Sequence, residues 1–452
     1  MKIIIAGVGK VGSSLVRQLS DEGHELVLID RLENVIEEAT EKYDVMGLCG
    51  NCATQDVLIH AGVKEFDLLI AATGADEVNL LCCMVAHKLN PNIHTIARIR
   101  NPEYSDQMHQ MREMFNLSLV VNPDRMAARE IERLLKYPGF LKRDTFAKGR
   151  VEIVELKIDA ESPLHNQPLS KMESIVRCKV LVCVVLRNGK SIAPSGDFVL
   201  QAGDRIFVTA PINNLTVLLK SLGIVTRKNK KVFVCGGSRI SYYLTSMLER
   251  EGFSVSLIEK DRESCIRFAD AFPGINVING DAGNQMLLES EGLSECDAMV
   301  TLTGEDELNI ILSLYGHGNG VPQVITKISH FKDSHIINAL PLGSTISPDE
   351  LCCNVIVRYV RAMENQSGAA VAVHFIADRN AEAIEFRVDE NTLFCNTPLK
   401  KIKTKDDVLI CCITHRGKIE IPNGDSLFSV GDSVVIVSTA KRTIYQLNDI
   451  FE

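Results

Sequence analysis

The sequence predicts an α/β protein of two doubly wound parallel sheets, each followed by a small strand-rich α+β domain, the whole arranged as a tandem duplication. Three observations carry that prediction. The run Ile3-Ile4-Ile5-Ala6-Gly7-Val8-Gly9-Lys10-Val11-Gly12 ends an apolar strand in a glycine turn. The run Val232-Phe233-Val234-Cys235-Gly236-Gly237-Ser238-Arg239-Ile240-Ser241 does the same 229 residues later. Short apolar runs then alternate with helix-period stretches through both halves, the pattern of a parallel sheet covered on both faces.

In the first half, strands are expected at 2–6, 25–30, 44–49, 66–72, 94–99 and 117–121. After the first strand, Val11, Leu15 and Leu19 form an i, i+4, i+8 stripe that suits a helix packed on the sheet. Residues 76–89 and Asp124 to Leu135 read as two further helices. The second half repeats the strands at 231–235, 254–259, 275–278, 296–302, 323–328 and 343–347. The second strand ends in an acid in both, Asp30 and Glu259. Thr73-Gly74-Ala75-Asp76-Glu77-Val78-Asn79 returns as Thr303-Gly304-Glu305-Asp306-Glu307-Leu308-Asn309, and Arg98-Ile99 as Lys327-Ile328. Chance does not keep glycines, acid and base in one register, so a duplication follows.

The small domain is duplicated too. Val151 to Leu156, Lys179 to Leu186 and Arg205 to Val208 read as strands, with a hairpin turn at Arg187-Asn188-Gly189-Lys190. Arg416-Gly417-Lys418 occupies the matching turn, Pro168-Leu169 recurs as Pro398-Leu399, and Gly203-Asp204 as Gly431-Asp432. The expected order is a large unit at 1–122, a helical crossover at 123–149, a small domain at 150–222 and a linker at 223–230. A second large unit at 231–348, a helical crossover at 349–368 and a small domain at 369–452 follow. The basic join Thr226-Arg227-Lys228-Asn229-Lys230-Lys231 reads as a solvated linker.

Composition narrows the function classes. A length of 452 residues suits two to four domains, and 46% apolar with 24% charged residues is ordinary for a globular chain. No apolar run approaches the roughly 18 residues needed to span a bilayer. Met1-Lys2 leads directly into a strand, without a signal-peptide layout. A cytoplasmic location is therefore expected, with any membrane role arising through a partner. A net charge of −9 argues against nucleic-acid binding and against adsorption to anionic lipid. The 14 cysteines, several in apolar pairs such as Cys82-Cys83, Cys352-Cys353 and Cys411-Cys412, read as buried reduced thiols. Cys49-Gly50-Asn51-Cys52 has a redox or half-zinc spacing but stands alone.

Gly7-x-Gly9-x-x-Gly12 has all three glycines of the dinucleotide fingerprint, for the tight turn, the close approach to a pyrophosphate and the helix packing respectively. The helix behind it offers N–H groups and a positive dipole end to phosphate. Asp30 can accept hydrogen bonds from ribose hydroxyls and would repel a 2′-phosphate, favouring NAD(H) or an adenosine nucleotide; otherwise it caps a turn. Thr73-Gly74 falls at the C-terminal sheet edge, where Thr73 can reach phosphate or ribose. Asp76-Glu77 are either part of that site or first-turn acids on the helix dipole. Arg98 can clamp a phosphate with two hydrogen bonds or pair with a local acid. In the second copy Ser238 and Ser241 replace the second and third glycines, Arg239 adds charge and Glu259 can hold a ribose. A second site altered in affinity or ligand is expected, with a purely structural copy as the alternative. No pair of titratable residues stands out for catalysis, and no metalloprotease, nucleophile-elbow or Walker segment is present. An NAD-dependent oxidoreductase is the competing reading and requires a proton donor beside the nicotinamide.

The runs at 3–12, 71–79 and 97–104, the Leu28-Ile29-Asp30 strand end and the tandem layout resemble the TrkA family of cytosolic regulators of Trk-type potassium uptake systems. The large units look like RCK (KTN) N-terminal domains and the small ones like RCK C-terminal domains. The resemblance covers essentially the whole chain. It implies a non-enzymatic sensor, a homo-oligomer forming a tetrameric ring beneath a membrane potassium-translocating subunit and binding NAD(H), ATP and ADP. It implies a first pocket of Gly7, Val8, Gly9, Lys10, Val11, Gly12, Asp30, Thr73, Gly74 and Arg98. The corresponding second set is Gly236, Gly237, Ser238, Arg239, Ile240, Glu259, Thr303, Gly304 and Lys327. The family's Gly-Asp-Ala turn stands as Gly280-Asp281-Ala282 in the second copy but as Gly50-Asn51-Cys52 in the first.

Overall fold

The structure, a computed structural model, describes all residues except 106, 137, 147–150, 224–228, 330–339, 365–369, 378–379 and 440–443. The first sheet takes its strands in the order β3-β2-β1-β4-β5-β6. These are β1 Lys2–Ala6, β2 Glu25–Asp30, β3 Met46–Cys49, β4 Leu68–Ala71, β5 His94–Arg98 and β6 Leu119–Val121, all paired in parallel. The chain order reverses beside β1, which opens a crevice at the C-terminal ends of β1 and β4. Helix α1, Lys10–Asp21, buries Val11, Leu15 and Leu19 on the sheet, as the stripe predicts. Helices α2, Glu33–Lys42, α3, Asp76–Leu89, and α4, Pro123–Lys136, follow.

The small domain after it is an antiparallel sheet in the order β10-β9-β11-β8-β7, with helix α5 at Ile212–Ser221. Its strands are β7 Lys142–Phe146, β8 Val151–Lys157, β9 Leu181–Arg187, β10 Lys190–Ile192 and β11 Arg205–Pro211. Strand β7 corrects the expectation that 123–149 is wholly helical: Lys142 to Phe146 pair with β8, and Phe146 is buried. The hairpin at 187–190 carries Asn188 and Gly189 at φ +52° and +75°, the two left-handed positions a type I′ turn demands.

The second half repeats both sheets. Strands β12 Lys231–Cys235, β13 Ser254–Glu259, β14 Asn276–Asn279, β15 Ala298–Thr301, β16 Gln323–Lys327 and β17 Ser344–Ile346 assemble as β14-β13-β12-β15-β16-β17. Helices α6 Arg239–Arg250, α7 Arg262–Ala271, α8 Asp306–Gly318 and α9 Pro348–Glu364 accompany them. The last sheet has β18 Ala370–Ile376, β19 Ala381–Arg387, β20 Val408–His415, β21 Lys418–Glu420 and β22 Ser433–Ser438 in the order β18-β19-β22-β20-β21. That is the first small sheet again, strand for strand. The buried carboxylate beside its hairpin is also repeated, with a changed partner. Asp204 accepts both Nε and Nη2 of Arg187 at 2.7 and 2.6 Å, whereas Asp432 accepts Nδ1 of His415 at 2.7 Å.

The helices that leave the large units pack mainly on the opposite half. Ala127, Ala128, Ile131, Leu134 and Leu135 of α4 lie in one core with Val232, Val234, Leu244 and Val300 of the second half. Cys352, Cys353, Ile356, Val357 and Val360 of α9 lie in one core with Ile3, Ile5, Leu15 and Leu28 of the first. Each fully buried Leu or Ile contributes about 1.5–3 kcal/mol, so each helix holds the opposite half firmly. Polar ties follow the exchange. Tyr243 donates to the Arg100 carbonyl at 2.9 Å, and Gln323 to the Leu134 carbonyl at 3.1 Å. Asn229 is buried and donates to the Leu135 carbonyl at 3.0 Å and to Gln323 at 2.6 Å. The basic join is therefore not a solvated linker throughout; its residues 226–228 lie outside the described residues. The two small domains share a core as well, with Phe146, Ile153, Cys183 and Phe207 against Ala383, Cys411 and Val435.

One buried ion cluster joins three of these parts. Arg361, on α9 and 2% exposed, donates to Glu22 at the C-terminal end of α1 at 2.7 Å and to Glu382 on β19 at 3.2 Å. Burial works to raise the Glu22 carboxyl, but hydrogen bonds from His24 and Arg361 and the Arg361 charge outweigh it and hold it below its ordinary value of 4.5. A carboxyl held low stabilises the fold above its unfolded value, and the contribution is lost as the pH falls through the lowered folded value. Replacing Arg361 by Ala is expected to cost roughly 3–5 kcal/mol, because the buried Glu22 and the partly buried Glu382 carboxylates lose their cation. Melting temperatures of the two proteins should differ clearly at neutral pH and converge below about pH 4.5.

Candidate functional site

The first glycine turn is built for close approach. Gly7 stands at φ +93°, and a Cβ there would fall 2.7 Å from Cα of Thr73. A Cβ on Gly12 would fall 2.0 Å from the Gly7 carbonyl oxygen, so only hydrogen lets α1 pack this near the turn. A Cβ on Gly9 would meet nothing within 4 Å; this residue faces open space. Gly9 is the N-cap of α1, with no side-chain hydrogen bond to the first turn. The positive end of the helix is thus left without a protein acceptor from its cap. Asp30, at the end of β2, accepts the Val8 N–H at 2.7 Å and the Leu32 N–H at 3.1 Å, which seats the carboxylate against the turn.

The Thr73-Gly74 loop is held by Asn79, a fully buried residue of α3. Asn79 Oδ1 accepts the Thr73 N–H at 2.8 Å and the Thr73 hydroxyl at 2.7 Å, while its amide donates to the Arg98 carbonyl at 2.8 Å. The Thr73 hydroxyl is thereby engaged within the protein rather than left free. Asp76 is buried and accepts the N–H groups of Arg100 and Asn101 at 2.8 and 2.7 Å, so it pins the loop after β5. Glu77 accepts the Tyr104 hydroxyl at 2.7 Å. Arg98 donates through Nη2 to the Thr73 carbonyl, and its buried Nε has no partner among the described residues. Burial, and then the neighbouring Arg100, push the Arg98 guanidinium down. A cation in this state is relieved by an incoming anion.

These residues line one cavity of about 670 Å³. Gly7, Gly9, Lys10, Asp30, Thr73, Gly74 and Arg98 form one wall; Val8, Val11 and Gly12 are buried behind it. The opposite wall comes from the second half, through Ile240, Lys327, Ser329, Pro348 and Asp349, with Pro123 and Asp124 at the start of α4 between them. Burial pushes Lys327 down, with Asp306 opposing and Lys10 adding to the effect. Burial raises Asp124, against the pull of Arg100, Arg239 and Arg98. The cavity therefore lies between the halves and gathers Lys10, Arg98, Arg100 and Lys327.

The second glycine turn is closed on itself. Gly236 keeps the left-handed turn at φ +101°. Ser238 and Ser241 cap each other: the Ser238 N–H donates to Ser241 Oγ at 3.2 Å and the Ser241 N–H to Ser238 Oγ at 3.3 Å. Ser241 also donates to the Gly236 carbonyl at 2.5 Å. Glu259 accepts the Gly237 and Asp261 N–H groups at 2.6 and 2.7 Å, in the manner of Asp30. Thr303 and Asn309 repeat the Thr73–Asn79 bond at 2.8 Å, and Lys327 donates to the Thr303 carbonyl at 2.6 Å as Arg98 does to Thr73. Of the second set, Ile240 and Lys327 line the shared cavity; Gly236, Gly237, Ser238, Arg239, Glu259, Thr303 and Gly304 do not. The Ser241 N–H of the first turn of α6 and the Ser238 N–H at its cap are thus spent on serine side chains.

Sequence reasoning missed Asn79 and Asn309, although both close the repeated Thr-Gly-x-Asp-Glu-x-Asn run. It also missed Arg100 and Ser329, in the loops after β5 and β16, and Asp124 and Asp349, which begin the exchanged helices. Asn79→Leu should orphan the Thr73 N–H and the Arg98 carbonyl at roughly 1–3 kcal/mol for each buried group. Urea unfolding should show that loss, and Asn309→Leu a loss of similar size.

The TrkA-N domain model matches residues 3–123 and 232–348, and the TrkA-C domain model residues 153–223. The chain is 28% identical over 458 residues to the Trk system potassium uptake protein TrkA of Haemophilus influenzae, covering 100% of this chain and 99% of that protein. It is 29% identical over 437 residues to a TrkA homolog of Archaeoglobus fulgidus, covering 96% and 97%. Among solved structures, the GsuK channel superposes with a TM-score of 0.63 at 17% identity, over 97% of this chain and 77% of that one. The GsuK channel bound to NAD gives 0.61 at 16%, with the same coverage. The duplicated glycine-turn units, their sheet order and the span of the domain matches together place this chain in the TrkA family, as a protein with two TrkA-N domains in tandem.

Proposed function

We propose that this chain is the regulatory subunit of a Trk-type potassium uptake system, and that it senses nucleotides without turning them over. NAD(H) or an adenine nucleotide (ATP or ADP) binds in the first cleft. The Gly7–Gly12 turn and the start of α1 take the phosphates, Asp30 takes the ribose hydroxyls, and Thr73, Gly74 and Arg98 close the other side. The observation that carries this reading is the shared cavity, in which an uncapped helix end and a buried guanidinium with a spare donor face the same space. The names of the full-length relatives support the potassium-uptake role, and the NAD-bound GsuK channel supports the ligand class on the shared fold.

In the second half, Gly236 to Ile240, Glu259, Thr303, Gly304 and Lys327 form the altered counterpart. Its serine-capped turn favours a weaker or different ligand, while Lys327 serves the first cleft from across the join. A nucleotide that prefers one relation of the halves shifts the population toward it, by at most its difference in affinity, typically about 1–3 kcal/mol. The partner is a membrane potassium-translocating subunit; the chain docks as a homotetrameric ring on the cytoplasmic face. Among the described residues no helix is long and apolar enough to cross a membrane, which fits attachment through that partner.

A thermal-shift panel tests the binding. NAD, NADH, ATP or ADP at a hundred times its Kd should add about 2.7 kcal/mol of stability. NADPH should give less, because Asp30 opposes a 2′-phosphate. Gly9→Ser/Gly12→Ser, which places the second turn's serine pair in the first, should reduce affinity at least tenfold. Asp30→Ala should weaken binding and blunt nucleotide control of potassium flux. Unchanged affinity and flux control in Asp30→Ala would overturn the assignment of the first cleft.

A further inference from the structure

A buried phenol ties three segments together around the first cleft. Tyr243 lies on α6, the helix behind the second glycine turn, and is 6% exposed. Its hydroxyl donates to the Arg100 carbonyl at 2.9 Å and accepts from Asn122 Nδ2 at 3.0 Å. The direction of this relay is fixed. Asn122 Oδ1 accepts the Arg125 N–H at 2.9 Å, where it caps α4, so the amide nitrogen is what faces the phenol. The Arg100 carbonyl can only accept, so the phenol proton points to it. Each segment tied in this way reaches the cavity. Ile240, one turn before Tyr243, lines it, as do Arg100 itself and the Pro123-Asp124 pair that follows Asn122.

Arg100 is the member that can act on a ligand. Its N–H is held by Asp76 of the first half at 2.8 Å, and its carbonyl by Tyr243 of the second. Its guanidinium donates through Nη2 to the Gly74 carbonyl at 2.8 Å. The Thr73-Gly74 wall thus rests on Arg100, and Arg100 rests on a tyrosine of the other half. The duplication supplies a comparison. The positions matching Tyr243, Asn122 and Arg100 are Ser14, Ser347 and Ser329. The acid grip is kept there, with the Ser329 N–H donating to Asp306 at 2.7 Å. So is the cap, with Ser347 accepting the Glu350 N–H at 3.4 Å. The fold forms at this place with three serines, so packing does not call for the larger set. Phenol, amide and guanidinium occur together on one side only, the side of the first cleft.

We infer that Tyr243 is a positioning residue for the first cleft. Through its hydroxyl, α6 of the second half holds Arg100, and through Arg100 the Thr73-Gly74 wall, in the position that receives a nucleotide. The affinity of the first cleft is thereby set in part from the second half. This role rests on the nucleotide binding proposed above. Loss of the hydroxyl leaves the Arg100 carbonyl and the Asn122 amide without this partner, and the loop after β5 loses its tie to α6.

The test is Tyr243→Phe in the full-length protein, which removes one oxygen and keeps the ring. Dissociation constants for NAD and ADP are measured by titration calorimetry at a temperature where both proteins are folded. A rise in Kd of about fivefold is expected, the effect of roughly one hydrogen bond. A purely structural role would lower the melting temperature and leave Kd as it is, and that result overturns the inference. A double-mutant cycle then identifies the path. Arg100→Ala should weaken binding by itself, and Tyr243→Phe should add less than about twofold to it, because its effect passes through the guanidinium. Full additivity of the two changes overturns the path through Arg100. Tyr242→Phe, which removes the hydroxyl of the neighbouring ring on α6, should leave Kd unchanged; an equal loss there would mean a general loosening of the helix and also overturns the inference. Absence of NAD and ADP binding in the unaltered protein overturns the nucleotide reading itself, and this role with it. Binding that Tyr243→Phe leaves intact overturns the role of Tyr243 alone.

Discussion

The exchange of the two crossover helices is the constraint on which the rest of the molecule depends. Each large sheet is covered on one face by a helix that belongs, in sequence, to the other half. Neither sheet can bury Leu15 and Leu28, or Leu244 and Val300, without α9 or α4 arriving from the far side. The halves are consequently locked together, and separating them would expose two apolar stripes at once. The cavity that lies between them follows from that lock. Asp124 and Asp349 reach it because they begin the exchanged helices.

The same exchange gives a path from the glycine turn to the last domain. Helix α1 starts at the cavity and ends beside Glu22, where Arg361 of α9 joins it to Glu382 of the terminal sheet. Helix α1 and the second small domain are thereby joined through one buried, charge-assisted contact. Duplication supplies the symmetry of this design and divergence breaks it. Ser241 and Ser238 stand where the first turn has Gly12 and Gly9, so one helix end is open and the other self-capped. The Arg98 guanidinium is matched by the Lys327 ammonium, which makes the same carbonyl contact with fewer donors.

Much of the fold was legible in the sequence because its signals are local. The twelve strands of the large sheets fall at the short apolar runs, of which the first two in each half end in glycine or acid, and α1 follows the Val11-Leu15-Leu19 stripe. The two hairpins appear where Asn188-Gly189 and Arg416-Gly417 accept positive φ. Strand β7 was missed, since Lys142 to Phe146 lacks the apolar alternation that marks β8 and gains its pairing only from β8. At the site, the glycines and Asp30 were legible because backbone geometry dictates them. The roles of Asn79 and Asp76 were not, because a side chain that holds a neighbouring loop looks in sequence like any polar residue of a first helical turn.

Sequence alone determined the duplication, the doubly wound sheets and the two unequal glycine turns, all of which rest on backbone dihedrals and periodicity within a few residues. Only the tertiary structure decided that α4 and α9 trade places and that Lys327 lines the cavity beside the first glycine turn. The reason is that an apolar stripe specifies burial without specifying a partner. Two nearly equivalent sheets offer equally suitable surfaces, and chain connectivity and close packing across the join choose between them.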